Sequence, residues 1–246
     1  MRWSTQLLIG LLCLAWVQPQ AHPQTRNAVV EITDISSSDS PLKISGHVSF
    51  EEVVTDIEAK ARYSLDATLT NVSSKPIMSY HIAMSVSPSI GPGVNAQYTD
   101  DRFFRDEMIA QPGGAALLQE TASTWRAVPI ANAAPESKVA VVKAKVVFVQ
   151  FADGSRFGDE KWGAKIRNER VGAISDLNAA TSAYASGISV NEGLQSALNN
   201  SKANFTSINS VVLSHVKDVL DSKGATAALA EMQKLLKTAD QRKSYM

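Results

Sequence analysis

The feature that most constrains this fold is a change of hydrophobic period near residue 160. Upstream, the larger apolar residues recur at every second position; downstream they recur every three or four. A period of two lines one face of a strand, and a period near 3.6 lines one face of a helix. The sequence therefore predicts an α+β chain, with a β half at 27–158 and a helical half at 163–246.

In the β half, Tyr63, Leu65, Ala67 and Leu69 alternate with Arg62, Ser64, Asp66 and Thr68. Met78, Tyr80, Ile82, Met84 and Val86 alternate with Ser79, His81, Ala83 and Ser85. Each run reads as a half-buried strand with one wet face, which makes His81 a surface histidine. Leu42, Ile44, Val48 and Phe50 flank Gly46, where a bulge or a close backbone approach is expected. Residues 27–33 form a further strand. Residues 139–151 are apolar on both faces over their second half, the pattern of a central strand. Turn-forming residues at 36–41, 71–76 and Asp153-Gly154 separate these runs. The Pro- and Gly-rich stretch 88–137 is expected to hold strands near 103–109, 115–120 and 123–128.

In the helical half, Ile166, Ile174, Leu177, Thr181 and Tyr184 share one face, with Val171 beside them, ending at Gly187. Ser189 and Glu192 form a capping box that opens a second helix carrying Leu194, Ala197 and Leu198. Ile208, Val211, Val212, Val216, Val219 and Leu220 make a third apolar face, stopped by Gly224. Leu229, Met232, Leu235 and Leu236 make a fourth. Short connections favour about four antiparallel helices.

The first 21 residues give an address. Arg2, an apolar run over 7–17, Pro19 and Ala21 have the pattern of a secretory signal peptide. The run falls short of the roughly 20 apolar residues a membrane-spanning helix needs. The expected protein is exported, periplasmic or secreted, and carries no transmembrane helix after leader cleavage. Cys13, the single cysteine, lies inside this leader. The exported form would be cysteine-free, without a disulfide, a thiolate metal ligand or a cysteine nucleophile. An exported domain that relies on its core alone points to a bacterial source. The sequons at Asn71, Asn199 and Asn204 matter only in a eukaryotic host.

Charge narrows the partners. The chain carries 24 basic and 24 acidic residues, and losing Arg2 with the leader leaves 23 against 24. Nucleic-acid binding needs a basic stripe that displaces counterions, so no nucleic-acid partner is expected. The balance also gives no general attraction to anionic lipid.

The stretch 65–77 places an Asn71-Val72-Ser73 turn and a Lys75-Pro76 pair between two strands. In this it resembles bacterial immunoglobulin-like domains, including the FxLYD-type group. Pro112-Gly113 and the run from Phe151 to Ser155 are similar to later turns of such domains. The resemblance covers about residues 27–158, without a Phe-x-Leu-Tyr-Asp motif. It implies an N-terminal immunoglobulin-like antiparallel β-sandwich, periplasmic or outside the cell, and brings no family chemistry.

Motifs for chemistry are sparse. His22, His47, His81 and His215 have no metal-ligand spacing. His22 at the expected new N-terminus could join the terminal amine around copper, although a solvated chain end explains it as well. There is no Gly-x-Ser-x-Gly elbow, no Gly-x-Gly-x-x-Gly and no phosphate loop, so no cofactor is expected. The acidic loop from Asp153 fails the EF-hand pattern, since position 5 is Phe157 and position 12 is Ala164. A looser calcium site would use Asp153, Asp159 and Glu160. Trp125, Trp162, Phe103 and Phe104, with Tyr98 nearby, are the candidate interaction residues. Such rings form a sugar or peptide platform, or else anchor a core; Trp162, at the junction of the halves, is placed to pin helices to sheet. Lys234, Lys237, Arg242 and Lys243 complement a helix C-terminus or form a docking tail.

The leading expectation is a non-enzymatic binding or assembly module that engages a protein partner through edge strands or loops. One alternative is a hydrolase of envelope carbohydrate using carboxylates such as Asp100, Asp101, Asp153 or Glu160. Another is a sugar- or ion-binding module without turnover. Paired carboxylates about 5–10 Å apart in a deep pocket would mark the enzyme. Coplanar exposed rings would mark the sugar binder.

Overall fold

The computed structural model describes residues 24–54, 58–89, 93–121, 126–129, 139–201 and 208–246. The expected leader, His22, Trp125 and Asn204 lie outside these residues. The chain is α+β: a curled mixed sheet followed by four helices in the C-terminal half.

The strands are β1 (Gln24–Asp34), β2 (Leu42–Val54), β3 (Glu58–Asn71), β4 (Ile77–Ser87), β5 (Val94–Asp101), β6 (Ala115–Thr121), β7 (Arg126–Pro129), β8 (Val141–Phe151) and β9 (Arg156–Gly158). Their order across the sheet is β5-β4-β8-β1-β2-β3-β6, with β7 also on β3 and β9 also on β8. Strand β1 joins the two parts of this sheet. Its residues 24–31 pair antiparallel with β2, and Ile32 to Asp34 pair parallel with β8. That pairing makes the sheet mixed, where antiparallel strands alone were expected. Asp34 fixes the exchange: its carboxylate accepts from the Ser36 and Ile44 amides, both at 2.9 Å. The sheet curls until its first and last strands meet, with the Tyr98 hydroxyl on β5 donating to Glu120 on β6 at 2.5 Å.

The alternating residues do what their period requires. Leu65, Ala67 and Leu69 of β3 pack inward with Ile44, Val48 and Phe50 of β2 against Ile82, Met84 and Val146. Gly46, at φ +131°, supplies the close approach expected of it. A Cβ there would sit 2.2 Å from the Asp66 carbonyl oxygen. Asn71 is fully buried, so this sequon is closed to modification. Its side chain donates to the Lys75 and Ala110 carbonyls and accepts from Ser73, tying two turns together.

In the segment 88–137, residues 123–125 of the strand expected at 123–128 lie outside the described residues, and the described residues depart from expectation over 94–109. Residues 94–101 form β5, whereas 102–109 form a turn rather than a strand. Phe103 and Phe104 are apolar because they anchor that turn in the core of the helical half, at 0% and 4% exposure.

The helices are α1 (Glu160–Ala185), α2 (Val190–Ser201), α3 (Ile208–Lys223) and α4 (Ala225–Gln241), closed by a 3-10 turn (Lys243–Tyr245). Asp159 caps α1 by accepting from the Lys161 amide. The Ser189–Glu192 capping box forms in both directions, with the Glu192 amide donating to Ser189 Oγ and the Ser189 amide donating to the Glu192 carboxylate. Gly224, at φ +84°, separates α3 from α4. The buried face of α1 is Gly163, Ile166, Arg170, Ala173, Leu177 and Ala180. Tyr184 and Val171, expected on or beside that face, are exposed. Met78, Phe103, Phe104 and Phe148 share one core with the helices. The helical half therefore packs directly on the outer face of β4 and β8.

Candidate cleft between the sheet edge and the last two helices

Helix α1 covers two cross-strand rows of that outer face. In one row Asp101 of β5, Ser79 of β4 and Gln150 of β8 stand side by side; in the next stand Thr99, His81 and Phe148. The alternating pattern assigned this face of β4 to water. Instead Ser79 is 0% and His81 1% exposed, because α1 covers it.

Arg170 reads the first row. Its guanidinium donates to both Asp101 oxygens at 2.8 and 2.6 Å and to Gln150 Oε1 at 2.7 Å. It also lies 4.5 Å from the Phe103 ring centroid, a cation–π contact. Gln150 in turn donates to the Tyr245 carbonyl at 2.8 Å, so the chain terminus joins the same network. Side chains of Arg170 and Asp101 are 0% and 1% exposed. A pair this deep fixes geometry more than it stabilises, because desolvating both ions offsets their attraction.

His81 occupies the second row. Its Nδ1 is 2.7 Å from Thr99 Oγ1, and its ring stacks on Trp162 with centroids 3.4 Å apart. Lys165 Nζ lies 4.5 Å from the same indole centroid. Among the described residues, no group hydrogen-bonds to His81 Nε2 or Ser79 Oγ. Burial, aided by the Lys165 charge, pushes the His81 pKa down to about 4. The imidazole is neutral and a weak base at pH 7.

Where β5 ends, this braced layer opens onto a cleft of about 430 Å³. Its sheet-side wall is Thr99, Asp100, Asp101 and the turn Phe104 to Glu107. Its helix-side wall is Ile208, Val211, Val212 and His215 of α3 with Glu231, Lys234 and Leu235 of α4. The floor is apolar, and Val211 stands 53% exposed within it. The turn is held from behind. Arg242 Nη1 donates to the carbonyls of Arg102, Phe103 and Arg105 at 2.9, 2.7 and 2.6 Å. The sheet-side wall is thus held by two arginines, the buried Arg170 on Asp101 and the carbonyl-bound Arg242 on the turn.

The sequence-expected residues are distributed as follows. Phe104 lines the cleft, Phe103 lies beneath Arg170, and Trp162 lies at the α1–sheet seam against His81. Among the described members of the aromatic set, Phe103 and Phe104 are therefore core rings and Trp162 is stacked. Of the carboxylates, Asp101 is held by Arg170, Asp100 by Arg102 at 2.9 Å and Asp153 by Lys75 at 2.7 Å. Lys75 and Ser155 together hold the Asp153 carboxyl well below the usual carboxylate range. Glu160 begins α1. No metal-holding group of three or more acidic, histidine or cysteine side chains occurs among the described residues. Arg242 of the basic C-terminal run folds back onto its own chain.

The sequence reading missed the α3–α4 wall of the cleft. A signal was present: Ile208, Val211, Val212, Leu213 and Val216 make an apolar face wider than one partner covers. No helix among the described residues is long and apolar enough to cross a membrane. No protein-family model, curated protein or solved structure matches the chain.

Proposed function

We propose that this chain is an exported, non-enzymatic binding or assembly module that engages a protein partner through the cleft between the 99–107 segment and helices α3 and α4. The observation that carries this reading is the preformed cleft itself, an apolar floor rimmed by charge. Its 430 Å³ lies in the range of ordinary ligand sites. The proposed compartment is the periplasm or cell exterior of a bacterium, supported by the leader pattern and the lone Cys13 within it. The β half is read as an immunoglobulin-like sandwich. Support comes from its single core enclosed by β2 and β3 on one side and β4 and β8 on the other. The shared strand β1 also fits that reading. The direct β2–β3 hairpin departs from the commonest immunoglobulin strand order.

The test is site-specific photocrosslinking in the native host. One bait carries a benzophenone side chain at Val211 in the cleft; the other carries it at Leu117, 69% exposed on β6. A discrete protein adduct at Val211 and none at Leu117 is expected. An adduct from Leu117 alone, or none from either, contradicts the reading.

A further inference from the structure

Helix α1 leaves the lower part of the outer sheet face open. Below the row of Thr99, His81 and Phe148 stand Gln97 of β5, Ala83 of β4 and Lys145 of β8. The row after that is Asn95, Ser85 and Lys143, with Thr33 of β1 beside Lys143. All of these are exposed except the half-buried Ala83, and the only charged side chains among them are the lysines. Helix α1 stands over this floor as a wall. Trp162 stacks on His81 at the border, and Lys165 Nζ lies over its indole. Lys161, also exposed, precedes Lys165 by one turn on the same side of the helix. None of Lys143, Lys145, Lys161 and Lys165 has an ion-pair partner among the described residues. The neighbouring acids stand outside the two rows: Glu31 is opposite His47 on β2, Asp159 caps α1, and Glu160 acts on the Arg156 guanidinium.

We propose that this shelf, floored by β5, β4 and β8 and walled by the first turns of α1, binds an acidic polysaccharide. The lysines supply compact positive charges for its acid groups. Lys143 and Lys145 stand about 7 Å apart along one strand, as the strand repeat sets them. Thr33, Ser85, Asn95 and Gln97 each donate and accept, which is what pairing with sugar hydroxyls requires. Strands β4 and β8 are hydrogen-bonded on both sides here, so a peptide cannot add to them as a further strand. A lipid surface is held by an apolar face, whereas these rows present hydroxyls, amides and ammonium groups. The shelf shares no residue with the lining of the cleft, so either surface can fail its test alone.

The test is an NMR titration of the isotope-labelled exported form with hexagalacturonate, its neutral methyl ester, a sulfated heparin hexasaccharide and hexaglutamate. At least one acidic sugar is expected to shift the amide signals of Ser85, Asn95, Gln97, Lys143 and Lys145. It should bind about tenfold more tightly than the methyl ester and than hexaglutamate, and lose its margin over the ester in high salt. The Lys143→Gln/Lys145→Gln variant should bind the acidic sugar about tenfold more weakly. Both side chains are exposed and unpaired, so its fold is expected to stand, and unchanged spectra elsewhere verify this. Ser85→Ala/Asn95→Ala, which leaves the charge untouched, should weaken binding about threefold or more. Binding of neither acidic sugar overturns the proposal, as do shifts confined to other surfaces. Equal affinity for the methyl ester overturns the role of the lysines. Equal affinity for hexaglutamate marks a surface that reads charge alone and overturns the polysaccharide assignment. Co-sedimentation with phosphatidylglycerol vesicles that the double lysine variant loses would overturn it in favour of a membrane.

Discussion

At the scale of single residues, two side chains carry the seam between helices and sheet, and each makes a measurable prediction. Arg170 stands in the middle of the buried face of α1, with Asp101 of β5, Gln150 of β8 and the Phe103 ring as its partners. Replacing it by Met leaves the Asp101 carboxylate buried and uncompensated. Breaking a buried pair in this way costs about 3–5 kcal/mol. Urea denaturation of Arg170→Met should show that loss, and adding Asp101→Leu should recover much of it. Burial of His81 predicts a contribution to acid sensitivity. Its pKa is about 4 in the folded chain against an ordinary 6.5. Between these values the unfolded chain binds more protons, so stability falls as pH drops from about 6.5 toward 4. The full contribution, of the order of 3 kcal/mol, is present above 6.5. His81→Phe, which keeps a ring on Trp162, should flatten that part of the pH profile; an unchanged slope would assign the loss to other groups. Arg170 also left a mark in the sequence. It falls between Ile166 and Ala173 at core spacing, a charge where the helix face demanded an apolar side chain. No such mark distinguishes His81, because only the helix above it makes its face dry.

At the scale of elements, legibility followed the strength of local pattern. Strand β3 was readable because Leu65, Ala67 and Leu69 alternate cleanly with polar residues, and α2 because its capping box is a local device. Strand β5 was not readable. Only Val94, Ala96 and Tyr98 alternate in it, against Asn95, Gln97 and Thr99, and its pairing with β4 supplies what its composition lacks. The neighbouring turn misled in the opposite sense, since Phe103 and Phe104 carry strand-like hydrophobicity but serve the helical core. That turn is held by its Phe103 and Phe104 anchors on one side and by Arg242 on the other. Arg242→Ala removes three hydrogen bonds to its carbonyls. Amide exchange across the 102–107 segment should accelerate by tenfold or more, at about 1.4 kcal/mol per decade. Exchange in β2 and β3 should stay unchanged. Equal protection of the turn in both proteins would mean that the Phe103 and Phe104 anchors suffice alone.

At the scale of the molecule, the change of period marks a change of secondary structure and leaves one connected fold. The boundary near 160 separates strands from helices in sequence, yet Met78 and Phe148 of the sheet belong to the helical core. Gly163 is pressed so closely to Phe148 that a Cβ would lie 2.9 Å from its ring. Periodicity identifies which face of an element is apolar, and it is silent on which other element covers it. That is why the α+β class could be read from the chain while the cleft, which belongs to neither half alone, could not. The cleft is rigid only if β8, β5 and the helices move as one unit. Native-state hydrogen exchange against denaturant tests this most directly, comparing amides of Val149 and Gln150 in β8 with those of Leu213 and Val216 in α3. The account predicts that both sets converge on a single opening free energy. Opening of α3 at a distinctly lower free energy, with β8 still protected, would contradict it.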